Sequence, residues 1–396
     1  MEKFCLAGIV KNEVDYMLEW VAWHHLAGFD HVIVADNMST DGTRSLLEAM
    51  ELAGLIKLIY QPTLARNTQA HCYNRVLESA LGKFEFVMFL DADEFLVHES
   101  QRHGEERRLL DELTSCGGVG SISINWRCFG SGGLINKSAE PVLRRFTHCS
   151  DSSDFSADRH VKSMIRVDHV KRTGIHASLL ICDMRHIDCQ GEDIRDFSCW
   201  PDDKGKPDPR SGMTDSIRKG PLRVHHYAVK TEEEYQQKRL RGSAVKGNTF
   251  DRGDDYFRYH DVRGAEFAFQ PGKLSRLERE MAGLDQRLAS ETPLGRPLRG
   301  IVSVSNATTV MGWITDLQGD AGGLFVNIFV NGVHVGRVSA DMYRPDLLHS
   351  GRSVNGYCGF RWTHPLPLKL GDRVTVTPHA NASNLGGQSN IVVGKE

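Results

Sequence analysis

No run of the 396 residues approaches the roughly 20 consecutive apolar residues that a membrane-spanning helix requires. That excludes a helical membrane protein. The opening stretch from Met1 to Val10 is too short an apolar run for a signal peptide or anchor. The nine cysteines are an odd, scattered set without a Cys-x-x-Cys pair, which argues against a disulfide framework and for reduced thiols in a cytosol. Cys182, His186, Cys189 and Cys199 lie close in sequence, but their spacing matches no common zinc finger or ribbon. A formal net charge of −3 supplies no field that recommends nucleic acid or an anionic membrane as partner. There is no Gly-x-Gly-x-x-Gly after the first strand and no Walker lysine loop, so neither a dinucleotide nor a P-loop ATP is expected. Repeats and low-complexity segments are also lacking. A cytoplasmic protein without a transmembrane segment is expected, with room left for peripheral membrane association.

What is present centres on Phe86-Val-Met-Phe-Leu-Asp-Ala-Asp-Glu-Phe-Leu96. Five apolar residues, Phe86 to Leu90, predict a strand buried on both faces, as in a parallel sheet. Asp91, Asp93 and Glu94 follow where the strand runs out, and ligands of open α/β sheets bind beyond strand carboxyl ends. If the backbone stays extended, Asp91 and Asp93 share a face. Paired oxygen ligands with open positions suit Mg²⁺ or Mn²⁺ carrying a diphosphate, although a solvated strand end would read the same way. Upstream, strands are predicted at Phe4–Val10, His31–Ala35 and Ile56–Tyr60. Helices fall between them at about Val14–Ala27, from Ser39, Thr40 or Asp41 to Ala53, and at Asn67–Leu81. That alternation predicts crossover helices on a parallel sheet. It brings Lys11–Glu13, Asp36–Asp41 and Asp91–Glu94 to one sheet edge. Taken singly, Asp36–Asp41 reads as a turn and helix cap.

Several ordered motifs then carry a likeness: Lys11-Asn12-Glu13, Glu19-Trp20, His24-His25-Leu26-Ala27-Gly28-Phe29, Asp36-Asn37-x-Ser39-Thr40-Asp41-Gly42-Thr43 and Leu90-Asp91-Ala92-Asp93-Glu94-Phe95. With Asn125-Trp126-Arg127-x-Phe129-Gly130-Ser131-x-Gly133 and His225-His226-Tyr227-x-x-Lys230, they resemble GT-A fold glycosyltransferases of the family 2-like and family 92 (DUF23) group, over roughly residues 1 to 265. The resemblance implies a metal-dependent, inverting glycosyltransferase of the hexosyltransferase type, with Mn²⁺ or Mg²⁺ as cofactor. It would move a sugar from a nucleotide-sugar, a UDP-sugar, to a glycan or glycolipid acceptor in bacterial surface polysaccharide synthesis. By resemblance Asp91, Asp93 and His226 hold the metal. Lys11, Glu13, Asp36, Asp41, Arg66, Gln69, Asn74 and Lys230 contact the donor, with a surface cation the alternative for Arg66. Asp193, with Glu192, is the candidate base, from a window that also holds Asp183, Asp188 and Asp196. Trp126 is read equally as a sugar platform or as core. Lys238, Arg239 and Arg241 supply charge that would offset a pyrophosphate or sit on a solvated helix face.

The fold expected is α/β: a GT-A domain with a Rossmann-like, mostly parallel sheet over 1–270, a helical connector over 271–297 and an all-β sandwich over 298–396. The connector rests on Leu274, Leu277, Met281, Leu284 and Leu288 at helical spacing. The sandwich rests on short alternating runs at Val310–Ile314, Leu324–Val330, His334–Val338, Gly356–Trp362 and Arg373–Pro378. Asn331-Gly332 marks a hairpin between two of them. Trp313, Tyr343 and Trp362 are read first as core and second as sugar-stacking residues. The competing function is a non-catalytic carbohydrate-binding or scaffolding protein that keeps a degenerate nucleotide-sugar fold.

Overall fold

The computed structural model describes residues 2–61, 67–151, 155–181, 183–194, 212–242, 251–291, 298–306, 308–316, 319, 324–363, 367–378 and 390–392. The chain divides into two compact units, Met1–Asn37 with Thr63–Asp285, and Met38–Pro62 with Gln286–Glu396. Among the described residues no helix is long and apolar enough to cross a membrane.

The first third of the chain runs β1 (Glu2–Val10), α1 (Val14–Ala27), β2 (His31–Asp36), α2 (Thr43–Leu52), β3 (Lys57–Tyr60), α3 (Thr68–Ala80), β4 (Phe84–Phe89), β5 (Glu94–His98), α4 (Glu105–Thr114) and β6 (Val119–Cys128). Through β4 this is the predicted alternation, whereas β5, which follows β4 without a helix, and α4 lie outside it. In the first unit β2, β1 and β4 are parallel neighbours, with Val10 opposite Asp36 and Ala7 opposite Phe89. The sheet then turns mixed. The strand Val161–Arg166 runs antiparallel to both β4 and β6. The strand Leu222–His226 is parallel to β6 and antiparallel to β5, so that His226 lies opposite Glu94. The result is α/β with a mostly parallel sheet, as expected, and the antiparallel insertions are what bring late residues beside the β4 end.

Helix α1 shows how the edge is held. Its inward face carries Trp20, Trp23 and His24, all essentially unexposed. Their polar atoms need partners there, because a buried donor left unmade is costly. Trp20 Nε1 donates to the carbonyls of Asp91 (3.0 Å) and Glu94 (3.1 Å). Trp23 Nε1 donates to Leu96 O at 2.8 Å. Residues 91–96 are thus pinned from beneath by two indoles.

The second unit contains two four-stranded antiparallel sheets, the predicted sandwich. One is formed by Leu298–Asn306, Thr309–Asp316, Tyr357–Thr363 and Met342–Tyr343. The other is formed by Val333–Ser339, Phe325–Val330, Arg373–Pro378 and Asn390–Val392. Alternation buries Trp313, Val326, Ile328, Phe360, Val374 and Val376 between them. Trp313 is therefore core, Trp362 packs against that core, and Tyr343 is exposed beside Tyr357. Within this unit α2 joins the sandwich through Glu48, which accepts from Tyr60 Oη and Asn327 Nδ2, both at 2.6 Å. Arg337 pairs with Glu51 at 2.6 Å.

His24 yields a stability prediction. Its Nε2 accepts from the Leu96 N–H at 3.3 Å and its Nδ1 donates to Trp20 O at 2.8 Å, an arrangement only the neutral ring can make. Burial pushes its pKa down to about 3 from the ordinary 6.5. A group lowered in the folded state contributes fully above its unfolded value and loses that contribution as pH falls toward the folded one. His24 should therefore cost on the order of 2 kcal/mol of stability by about pH 5. Urea unfolding of wild type and His24→Gln at pH 7 and pH 5 should show a smaller loss on acidification in the variant.

Candidate active site

The apolar run of β4 ends at Leu90, and the backbone turns at once: the Glu94 N–H donates to Asp91 O at 3.0 Å. Extended geometry across Asp91 and Asp93, the condition for a shared face, is not realised. The two carboxylates have different partners. Asp91 Oδ1 accepts from Gln69 Nε2 (2.6 Å) and Tyr73 Oη (3.1 Å), and its Oδ2 lies 3.2 Å from Lys162 Nζ. Asp93 Oδ2 takes Lys238 Nζ at 2.6 Å, while its Oδ1 faces His226 Nε2 at 3.9 Å. Both acids nevertheless line one cleft of about 300 Å³, together with Lys11, Glu13, Asn37, Gln69, Trp126, His176, His226, Lys238, Arg241 and Arg252 among others.

The electrostatics follow from burial. Burial alone would raise the Asp93 carboxyl, but Lys238, with His226 and Lys230 behind it, holds it well below the usual carboxylate range. Burial drives the His226 imidazole well below 6.5 against the pull of Asp93, so the ring is neutral. Its Nδ1 is buried without a partner. Burial pushes Glu94 up, and Lys162 beside it opposes the rise. Lys162 has no exposed surface and sits 3.2 Å from both Asp91 and Glu94; the two acids restore the charge that burial resists. Lys11 is lowered, first by burial and then by Arg241, with Asp36 pulling the other way. Arg241 in turn bonds Lys11 O (3.0 Å), Asn12 O (3.2 Å) and the Glu13 carboxylate, fixing the loop after β1.

A divalent cation fits part of this set. Ligands at about 2.1 Å from one such ion lie at most about 4.2 Å apart, and the Asp93–His226 separation of 3.9 Å falls within that span. A neutral imidazole with no competing donor on Nε2 suits the role. Asp91 is committed to Gln69, Tyr73 and Lys162. Among the described residues no group of three or more His, Cys, Asp or Glu side chains is placed to hold a metal. Asp93 and His226 would supply two ligands and leave the remaining positions to substrate oxygens and water.

The other expected residues divide clearly. Lys11, Glu13 and Gln69 line the cleft, and Asp36, 1% exposed, stands beside Val10 at its edge. Asn74 does not reach it: its amide ties α3 to Thr173, donating to the carbonyl (2.8 Å) and accepting from the N–H (3.1 Å). Lys230 lies with its ammonium 3.6 Å from the Tyr16 ring centre, outside the cleft lining. Asp41 belongs to the second unit, where it accepts from the Thr43 N–H at 2.9 Å, a turn contact just ahead of α2, whose cap position is Gly42. Arg66 lies outside the described residues. Asp193 pairs with Arg185 at 2.7 Å, and the Glu192 N–H bonds Asp188; neither lines the cleft. The residues that sequence reasoning passed over are Lys162, His176, Arg252 and Tyr256. For Lys162 a signal existed, since a lysine inside an apolar strand must be paired.

Lys162→Met should therefore cost about 3–5 kcal/mol, because it leaves buried carboxylates without a counter-charge. Adding Glu94→Gln should recover a large part, and urea titrations of the single and double variants measure both.

The sequence model of glycosyltransferase family 92 matches residues 3–197. Family 92 proteins of Ricinus communis and Arabidopsis thaliana are 26% and 25% identical over 148 and 173 residues. These alignments cover 37% and 41% of this chain and 26% and 28% of theirs, so the chain spans little more than a quarter of the length of these relatives. A family 92 protein of Oryza sativa subsp. japonica is 30% identical over 95 residues, 23% of this chain and 16% of that one. Among solved structures, S. aureus TarS 1-349 in complex with UDP is 17% identical, with 42% of this chain and 47% of that one covered and a TM-score of 0.26. S. aureus TarS is 10% identical, with 99% and 77% covered and a TM-score of 0.31. Through residues 3–197, just under half of its length, the chain is similar to glycosyltransferase family 92.

Proposed function

We propose that the protein transfers a hexose from a UDP-sugar to a hydroxyl of a glycan or glycolipid, with inversion at the anomeric carbon and with Mn²⁺ or Mg²⁺ bound. Such a reaction would serve the building of a bacterial surface polysaccharide in the cytoplasm. Every described cysteine is a free thiol, which agrees with a reducing compartment. The observation that carries the reading is the convergence of Asp93 and neutral His226 at 3.9 Å in a cleft that also holds Lys11, Lys238 and Arg241. The likeness of residues 3–197 to glycosyltransferase family 92 supports it.

The chemistry uses these parts as follows. A departing nucleoside diphosphate concentrates negative charge, and preorganised positive groups lower the barrier by meeting that charge as it forms. Asp93 and His226 would hold the divalent ion, which when bound neutralises charge on the diphosphate oxygens. Lys238 and Lys11 add fixed cations at the cleft wall. Asp36, buried at the end of β2 beside Val10, would accept from a ribose or base donor group.

Asp93→Asn keeps the shape and the Lys238 contact while removing the charge. Turnover of the accepted UDP-sugar should fall by about 100-fold or more, and the Mn²⁺ dependence of UDP binding should vanish, as read by calorimetry with and without the metal. Wild-type rates in this variant, or UDP binding by the wild type that ignores Mn²⁺, would set the reading aside.

A further inference from the structure

Inversion by a single displacement requires a group that takes the proton of the incoming hydroxyl, and the cleft narrows the choice. Its three lining carboxylates are each tied to a cation: Glu13 to Arg241, Asp91 to Lys162 and Asp93 to Lys238. His226 faces Asp93 across the metal position. One further ring with a lone pair lines the cleft, His176.

His176 is held as a base would be. It lies on the connection between the strands Val170–Thr173 and Ser178–Leu180. Its Nδ1 is 3.0 Å from Val161 O, and a carbonyl can only accept, so Nδ1 carries the hydrogen. The lone pair is then on Nε2, at the far edge of a ring whose near edge is anchored to the sheet. The backbone is fixed as well, since Ser163 Oγ donates to His176 O at 2.9 Å. The ring packs edge-on to Trp126 at 5.3 Å and lies 5.3 Å from His160. Gly212 closes the back: a Cβ there would stand 2.1 Å from His176 Cβ, so a side chain at 212 would push the imidazole forward. Burial, then Lys162 and His160, hold the imidazole well below its ordinary range, so the ring is neutral and Nε2 carries no proton.

We infer that His176 is the general base of the transfer: Nε2 removes the proton of the acceptor hydroxyl as that oxygen bonds to the anomeric carbon. The bond from the anomeric carbon to the diphosphate oxygen breaks in the same step, and its electron pair leaves with UDP. The proton on Nε2 passes to solvent afterwards. A backbone carbonyl here does what a carboxylate does in other base pairs: it selects the tautomer. The assignment rests on the glycosyltransferase reading above and adds the residue that the reading leaves unnamed.

The test uses the full chain with Mn²⁺ and UDP-glucose, UDP-galactose and UDP-N-acetylglucosamine, with water as the acceptor and released UDP as the readout. With the donor that turns over, His176→Ala should lower kcat by about 100-fold or more while UDP binds with unchanged affinity. Added imidazole should restore part of the His176→Ala rate, because the space left by the ring admits a free base. His176→Gln, which keeps the bulk, should be equally slow and should not respond. UDP affinity and circular dichroism show whether each variant is folded, so either variant suffices if the other is not. A His176→Ala rate close to wild type, or no response to imidazole, overturns the assignment and leaves the transferase reading standing. A wild type that binds UDP and releases none from any of the three donors overturns both.

Discussion

Lys162 has no exposed surface, and its ammonium lies 3.2 Å from the carboxylates of Asp91 and Glu94 at once. An isolated charge in that position would be costly enough to deprotonate or to unfold the region. The pairing is therefore a constraint on everything around it. Lys162 stands on a strand antiparallel to β4, and Glu94 opens β5, which pairs with the strand carrying His226. Neutralising one ammonium with two acids locks three strands in register at the cleft floor. The Asp91 N–H accepts no freedom either, since it donates to Glu94 Oε2 at 2.8 Å. From above, the turn is closed by Gln69 and Tyr73 of α3, and from below by Trp20 of α1. The turn that presents Asp93 is thus held from α3, from α1 and by Lys162.

The parts of this arrangement that could be read in the sequence are those with a local pattern. Phe86 to Leu90 followed by acids marks the strand and its end, because an uninterrupted apolar run must be buried and a cluster of carboxylates must not. The alternation through Leu81 marks the crossovers, and the Asn331-Gly332 turn marks a hairpin that the structure places between Phe325–Val330 and Val333–Ser339. The convergence of Lys11, Glu13, Asp91 and Asp93 follows from strand order alone. His226 could be placed because it ends a strand and carries a motif.

What could not be read depends on pairing between distant segments. The antiparallel strand Val161–Arg166 enters the sheet between β4 and β6, and no periodicity within it says so. Lys162 and His176 follow from that insertion. Asn74 and Lys230 were placed by likeness of position, and the structure gives each a different employment, one bridging α3 to a strand backbone and the other resting on the Tyr16 ring. Asp193 shows the limit of reasoning from a window of sequence: the register of Arg185–Asp188 along β6 sets it against Arg185. Met38–Pro62 reads as one more repeat of the alternation, yet its Glu48 and Glu51 find their partners, Asn327 and Arg337, in the second unit.

The charges of the cleft explain why neutral rings matter there. Had Glu13, Asp91 and Asp93 been unpaired, the cleft would repel a diphosphate and would draw a metal ion strongly enough to dominate its own geometry. Each acid instead has its own cation, and Lys11 and Arg252 stand beside them on the wall. Pairing of this kind leaves the wall close to neutral before a ligand arrives, so a dianion is met by positive groups without first displacing a field of the wrong sign. Lone pairs in the cleft then come from imidazoles. His226 turns its Nε2 to Asp93 and His176 keeps its Nε2 free of the backbone contact that fixes its Nδ1. Trp126 packs against both rings, 4.1 Å from one and 5.3 Å from the other, and keeps the two nitrogens in separate positions on a single wall. A division of labour between charge held by ion pairs and lone pairs held by neutral imidazoles is the consequence of setting three acids beside three cations.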